Sequence, residues 1–446
     1  MSSLIPEQLS TDSTACALAE RIRTHQARIV VVGQGFVGIP EAIDLVDAGF
    51  SVIGVDIDPE RVAELSLGHS PVPDVSDLRI LEALRRSAYR VTTESEVIAE
   101  ADIVIICAPT PLDGQQRADL TAVSTVTRTI SQHLARPALV VLESTVPPGA
   151  TRSVILPRLA DGRRTIGRDV FLGFAPERID PGNQAFQRTE VPRLVSGITE
   201  SCRQLTELLY RQVVETVHPV STPEVAELAK AVENSFRFIN VSFVNEVAML
   251  CDRLGFSVWE VIDAAASKPY AFLPHYPGPG IGGSCIPVVP HYLRQVAHDA
   301  GVSAGLLDAA VQVNEDMPRF VVDKLIRLLR ERGRELANAG ILVIGVSYKP
   351  NVADVRESPA LPILRQLLQA EAKAEYHDPL VPRFCVDRVE LQSVDLDSTR
   401  LAQADCVLLL TLHRQIDRCQ LLSHSRLIFD TRNALKAGDC PNVVTL

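Results

Sequence analysis

The chain has 446 residues, 46% of them apolar and 22% charged, the balance of a globular protein able to bury several cores. At roughly 100–200 residues per domain, three domains are the central expectation and a single small module is excluded. Lys and Arg total 44 against 55 Asp and Glu, a net charge of −11, so the surface repels a phosphate backbone and nucleic acid is not an expected partner.

The longest apolar runs, 138–142 and 406–410, are far shorter than the ~18–20 residues that cross a bilayer, so no membrane is expected. Residues 1–26 contain no apolar signal core. Nine scattered cysteines without a Cys-x-x-Cys pair suit a reducing cytoplasm better than a disulfide framework or a zinc site, and no metal is expected.

In chain order, Ile29-Val30-Val31-Val32 reads as a strand buried on both faces, followed by Gly33-Gln34-Gly35-Phe36-Val37-Gly38 and a helix to about Ala48. A second strand, 51–55, ends at Asp56. Segments 101–108 and 138–142 are again strand-like, the first running into Pro109-Thr110-Pro111 and the second into Glu143-Ser144-Thr145. This alternation implies βαβ units and a parallel sheet.

From residue 222 the pattern turns helical, with Thr222 as cap and Pro223 at the first position. Val225, Leu228, Val232, Phe236, Ile239 and Phe243 recur in steps of three and four, which predicts one buried stripe. Lys230, Asn234 and Arg237 lie within about 60° of one another on the opposite side, a face that would ordinarily be solvated. A helix from 222 to 251 would be some 40 Å long, enough to carry a subunit contact. The last third repeats the first: strands near 341–345, 374–378, 404–408 and 427–430 around a helix near 360–370. The expected architecture is α/β, two doubly wound Rossmann-like domains (27–215 and 336–446) joined by a helical segment (216–335) with a long central helix.

Gly33-x-Gly35-x-x-Gly38 stands where a dinucleotide fingerprint must, after a strand and opening a helix whose N-terminus offers N–H groups to a pyrophosphate. Asp56, 18 residues after Gly38, is placed to accept hydrogen bonds from ribose hydroxyls and to repel a 2′-phosphate, which favours NAD; nearby Arg61 leaves some room for NADP. Tyr276-Pro277-Gly278-Pro279-Gly280-Ile281-Gly282-Gly283-Ser284-Cys285 is a tight loop in which a cysteine is not core filler, whereas Cys107 and Cys406 fall in apolar strands. Cys285 is therefore the candidate nucleophile, and Lys230 and Asn234 would hold an oxyanion if their face meets this loop.

These motifs, in this order, resemble the UDP-glucose/GDP-mannose dehydrogenase family, which oxidises the C6 alcohol of a nucleotide sugar to a carboxylate with two NAD⁺. The resemblance extends from Arg28 to Leu446. It also includes 143–149, Ala175-Pro176-Glu177-Arg178, Lys230-x-x-x-Asn234 with Arg237 and Asn245-Glu246, and Tyr348-Lys349-Pro350 followed by 354–359. Lys268-Pro269-Tyr270 and 276–280 are most similar to the branch acting on UDP-N-acetylhexosamines, UDP-N-acetylglucosamine above all; UDP-glucose and UDP-N-acetylmannosamine are the alternatives.

The resemblance implies that Cys285 carries a thiohemiacetal and then a thioester, that Lys230 and Asn234 stabilise oxyanions, and that Thr145 and Glu177 hold or activate water and substrate. It places Gly33, Gly35, Phe36, Val37, Gly38, Asp56, Arg61, Pro109, Thr110 and Thr145 at NAD. Glu177, Arg178, Lys230, Asn234, Arg237, Tyr276, Gly282, Lys349 and Arg356 would be at the UDP-sugar, and a homodimer would form through the central helix. One position departs from the family: four residues after the nucleophile, where an acidic residue is usual, stands Val289. That substitution keeps open a dehydrogenase that stops after two electrons, or a non-catalytic nucleotide-sugar-binding homologue.

Overall fold

Unbroken runs of Val, Ile and Leu are what a parallel sheet covered on both faces requires. The computed structural model, which describes residues 13–178, 186–436, 438 and 440–446, arranges them in that way. β1 (Arg28–Val32), β2 (Ser51–Val55), β3 (Tyr89–Thr92), β4 (Ile103–Ile106), β5 (Ala138–Leu142), β6 (Val170–Phe174), β7 (Arg193–Gly197) and β8 (Val217–Pro219) form one sheet. Its order is β3-β2-β1-β4-β5-β6-β7-β8. Neighbours are parallel except β6 with β7. Ile29 stands opposite both Val52 and Ile103. Alternation along β1 sends Ile29 and Val31 into the core on one face and Val30 into the core on the other. The helix Ser13–Arg23, which periodicity did not reveal, buries Ala15, Leu18, Ala19 and Ile22 in the same cluster as Leu205 and Leu209.

The second sheet is built from β9 (Gly340–Ile344), β10 (Lys373–His377), β13 (Cys406–Leu409), β14 (Ile428–Asp430) and β15 (Val443–Thr445), in the order β10-β9-β13-β14-β15 and parallel throughout. β11 (Arg383–Val386) and β12 (Val389–Gln392) form a separate antiparallel pair. The doubly wound expectation for both ends of the chain is met.

The chain divides into two compact units. The first ends at Glu233 and includes His291–Val296; the second holds Asn234–Pro290 and Ala297–Leu446. The helices Val258–Ala266 and Gly305–Arg330 share one hydrophobic cluster with the second sheet, Trp259, Ile262, Met317 and Leu325 packing with Ile341, Val343 and Ile363.

The long helix runs from Pro223 to Leu254, 32 residues, or about 48 Å. Its apolar stripe is not buried as the periodicity predicted: Val225, Leu228, Val232, Phe236 and Phe243 are 42–57% exposed. The inward side instead carries Ala226, Glu227, Lys230, Ala231, Asn234, Phe238, Ser242, Asn245 and Ala248. Its buried polar residues include Lys230 and Asn234. Periodicity supplies the phase of a stripe; it does not say which side is covered.

Candidate active site

The first unit presents a nucleotide cradle. Gly33 has φ +96°, and a Cβ on it would lie 2.6 Å from the Cys107 carbonyl oxygen. A Cβ on Gly38 would lie 1.8 Å from the Gly33 oxygen, so the turn between β1 and the helix Gly38–Asp47 closes only with glycine at both ends. A Cβ on Gly35 would meet only Arg61 Nη1, at 4.0 Å, which leaves the space a pyrophosphate needs. Among the described residues no side chain caps the helix; Ile39 N is taken by the Gly35 carbonyl (3.1 Å) and Pro40 has no N–H, so it is the helix dipole more than free N–H groups that favours an anion there. At the end of β2, Asp56 accepts hydrogen bonds from Gln34 N (2.7 Å) and Asp58 N (3.0 Å), with Arg61 3.8 Å away. Glycines, helix start and carboxylate fit NAD. The two further expected segments meet nearby in the same unit: Thr110 Oγ1 donates to the Thr145 carbonyl at 2.7 Å, and Tyr292 donates to the Thr110 carbonyl.

Glu177 sits in an ion-pair network that the sequence did not reveal. Its carboxylate accepts Arg178 N (2.7 Å), Arg193 Nη1 (3.2 Å) and Arg188 Nη2 (3.5 Å). Arg193, buried on β7, also pairs with Glu41 and with Glu143 (3.2 Å), and Tyr210 donates to Glu143. Burial pushes Glu41 and Glu143 above the usual carboxylate range, with Arg193 opposing. Three carboxylates converge here, but two guanidinium groups stand among them, so the cluster is an ion-pair scaffold and not a cation site. Glu177 is thereby fixed in direction. Arg178, expected at the substrate, is turned to Glu233 (2.6 Å) and the Pro192 carbonyl (2.7 Å).

On the long helix, Lys230 and Asn234 are one turn apart and both buried, whereas Arg237 is exposed. Asn234 Nδ2 is buried with no hydrogen-bond partner among the described residues. An orphaned amide donor costs about 1–3 kcal/mol, which a ligand oxygen would relieve. One turn earlier Glu227 accepts Gly149 N (2.5 Å) and Thr151 N (2.8 Å), fastening the segment after Thr145; burial raises its pKa to about 7.

In the second unit the glycine-rich loop is held along its whole length. Asn245 Oδ1 accepts Gly278 N (2.9 Å), Asn314 Oδ1 accepts Ile281 N (2.7 Å), and the Arg356 carbonyl accepts Gly283 N (3.0 Å). A Cβ on Gly282 would lie 2.6 Å from Tyr348 Cβ, so glycine there lets this loop touch the loop after β9. Tyr276 stacks on Trp259 (6.0 Å, 15°) and donates to Asp263 (2.9 Å). The loop delivers Cys285 as an exposed free thiol. Arg356 donates to the Asp354 carboxylate at 2.6 and 3.1 Å, and these hydrogen bonds raise its pKa against burial. Lys349 is half-buried on the same loop as Arg356. Val289, fully buried, starts the helix Val289–Asp299 and donates its N–H to the Cys285 carbonyl at 3.0 Å.

Sequence comparison agrees with this division of labour. Patterns of the UDP-glucose/GDP-mannose dehydrogenase family match in three parts: the NAD binding domain over residues 27–214, the central domain over 224–316 and the UDP binding domain over 342–437. An NDP-N-acetyl-D-galactosaminuronic acid dehydrogenase of Ralstonia nicotianae is 34% identical over 425 residues, 92% of this chain and 96% of that one. A UDP-N-acetyl-D-glucosamine 6-dehydrogenase of Salmonella typhi is 31% identical, covering 87% and 91%. The structure of a UDP-D-ManNAc dehydrogenase from Pyrococcus horikoshii superposes with a TM-score of 0.82 at 31% identity, over 91% of this chain and 95% of the other.

Proposed function

This chain belongs to the UDP-glucose/GDP-mannose dehydrogenase family, and on that premise we propose that it oxidises C6 of a UDP-N-acetylhexosamine, UDP-N-acetylglucosamine in first place, to the uronic acid. The observation that carries this reading is Cys285: an exposed thiol on a loop pinned by Asn245, Asn314 and the Arg356 carbonyl. A dehydrogenase that ended at the aldehyde would have no use for it. Bound NAD⁺ supplies the hydride acceptor, and the glycine turn and Asp56 are the residues that would hold it. Cys285 adds to the C6 aldehyde to give a thiohemiacetal, whose oxidised form is a thioester that water hydrolyses to the carboxylate and free thiol. Lys230 and Asn234 stabilise the oxyanions. Thr145 and Glu177 position water, Glu177 in a direction set by Arg193 and Arg188. Lys349 and Arg356 take the nucleotide end.

Val289 favours a slow form of this reaction, since no carboxylate stands at that position to order water. The exposed apolar stripe of the long helix supports a homodimer through that helix; Phe236→Glu is expected to give monomers by light scattering, and an unchanged mass would refute it. Nine free thiols support a cytoplasmic site of action, and among the described residues no helix is long and apolar enough to cross a membrane.

The deciding experiment offers UDP-N-acetylglucosamine, UDP-N-acetylmannosamine, UDP-N-acetylgalactosamine and UDP-glucose and counts NADH per sugar consumed, with mass analysis of the product. Two NADH and a carboxylate are expected; one NADH and an aldehyde would overturn the thioester route. Cys285→Ala is expected to abolish acid formation while leaving NAD⁺ and UDP binding intact.

A further inference from the structure

At the end of β10, Asp378 is buried, and its Oδ2 accepts hydrogen bonds from Val346 N (2.8 Å), Ser347 N (3.1 Å), Ser347 Oγ (3.1 Å) and His413 Nε2 (3.1 Å). His413, itself 1% exposed, receives Asn351 N on Nδ1 at 2.9 Å. A backbone N–H only donates, so Nδ1 is the accepting nitrogen and Nε2 the one that donates to Asp378. Asn351 has φ +63° and accepts Arg414 N on Oδ1 at 2.9 Å. A non-glycine residue in the left-handed region persists only where its surroundings hold it. Further along the same segment, Ser347 O accepts Thr411 Oγ1 (2.7 Å) and Val346 O accepts Ser358 Oγ (2.7 Å). The start and the middle of 346–358 are thus tied to the strand ends of the second sheet, Ser358 closes the segment back on Val346, and Lys349 and Arg356 ride on it.

We propose that His413, bridging Asp378 and the Asn351 amide, is a positioning residue that holds the 346–358 loop in the shape that binds the nucleotide end of the substrate. The proposal rests on the reading of Lys349 and Arg356 as nucleotide-binding residues. His413 does not touch the ligand; it fixes the left-handed turn at Asn351 from which Lys349 and Arg356 are presented on either side.

The chemistry of the imidazole gives a test that separates positioning from bulk stability. Asn places its carbonyl oxygen near the position of Nδ1 and can still receive the Asn351 N–H; Gln places an amide donor near Nε2 and keeps only the Asp378 bond. Calorimetric titration of the full-length protein with UDP, with NAD⁺ as control ligand, is expected to show His413→Gln weakened about tenfold for UDP, the loss of the one buried hydrogen bond to Asn351, and His413→Ala, which loses both bonds, weakened at least as much. His413→Asn should retain most of the affinity, and NAD⁺ binding should be unchanged in all three. Wild-type UDP affinity in His413→Gln, or a loss in His413→Asn as large as that in His413→Ala, overturns the proposal, and the Asn/Gln pair decides even if the Ala variant fails to fold. If Lys349→Ala and Arg356→Ala bind UDP like the wild type, the premise about the loop fails and the proposal falls with it. If those two weaken UDP and His413→Gln does not, the lock alone is wrong.

Discussion

The two Rossmann-like sheets begin with the same device and then use it differently. Gly33 and Gly345 both follow the first strand with positive φ, and a Cβ on either would strike a carbonyl from a neighbouring strand end, that of Cys107 at 2.6 Å or Thr411 at 2.0 Å. Asp56 and Asp378 both end the second strand and both accept an N–H from the loop after the first, Gln34 at 2.7 Å and Val346 at 2.8 Å. Beyond that they part. In the first sheet the helix starts at Gly38, directly after the tight turn, so its N-terminus faces the cradle. In the second the chain wanders from Val346 to Pro359 before the helix Ala360–Gln369, and Asp378 is consumed by loop N–H groups and His413. The second sheet thus carries a long loop with Lys349 and Arg356 on it where the first carries a tight glycine turn. The lesson is that the length of the loop after the first strand decides how much of the strand-end carboxylate the loop itself takes up.

The largest expected effects come from breaking the shared turn. Gly38→Ala puts a methyl 1.8 Å from the Gly33 oxygen and should lower NAD⁺ affinity at least about a hundredfold with UDP binding retained. Gly345→Ala, 2.0 Å from the Thr411 oxygen, is the mirror experiment: UDP binding lost to a similar degree and NAD⁺ binding kept. Titration of both variants with both ligands checks the assignment, and a Gly345→Ala protein that loses NAD⁺ instead would dissolve the comparison. Next in size is the change at Asp56. Wild type should prefer NAD⁺ over NADP⁺ by about 1–2 kcal/mol, and Asp56→Asn should narrow that preference roughly tenfold in kcat/KM without changing UDP affinity. Equal use of both cofactors by the wild type would refute the role of Asp56.

What the sequence made legible was what is local in it. Gly33 to Gly38, Asp56 and the Cys285 loop are each contained within a few residues or at a fixed spacing, and their spacing carries the physics. The Arg193 scaffold was hidden because its partners Glu41, Glu143 and Glu177 come from three distant segments, and an Arg on a short strand looks like any other. His413 and Asp378 are 35 residues apart with no pattern linking them. On the long helix periodicity gives the phase of the stripe and not its side, because the exposed face is richer in large apolar residues than the buried one.

The smallest effect sharpens the comparison through pH. Each unit has a buried carboxylate that ties down backbone N–H groups, yet their pKa values are displaced in opposite directions. Burial raises Glu227 to about 7, because only the Gly149 and Thr151 segment opposes it. Burial also pushes Asp378 upward, but His413 and the loop N–H groups outweigh it and hold the carboxyl at about 2. For Glu227 the folded pKa exceeds the unfolded one, so its stabilising contribution is complete below about 4.5 and is lost as pH rises through about 7. For Asp378 the folded pKa is depressed, so its contribution is present above about 3.8 and is lost as pH falls through about 2. From pH 4.5 to 8 the wild type should therefore lose up to about 3 kcal/mol relative to Glu227→Gln, which holds the neutral form throughout. Asp378→Asn should show no such drift in that window, and should close on the wild type by about 2 kcal/mol only under strongly acidic conditions. Differences between each variant and the wild type in urea titrations across pH cancel the groups common to both proteins. A flat Glu227→Gln difference from pH 4.5 to 8 would mean that the carboxylate is already ionised at the low end, held by Gly149 and Thr151 as firmly as Asp378 is held by its own loop.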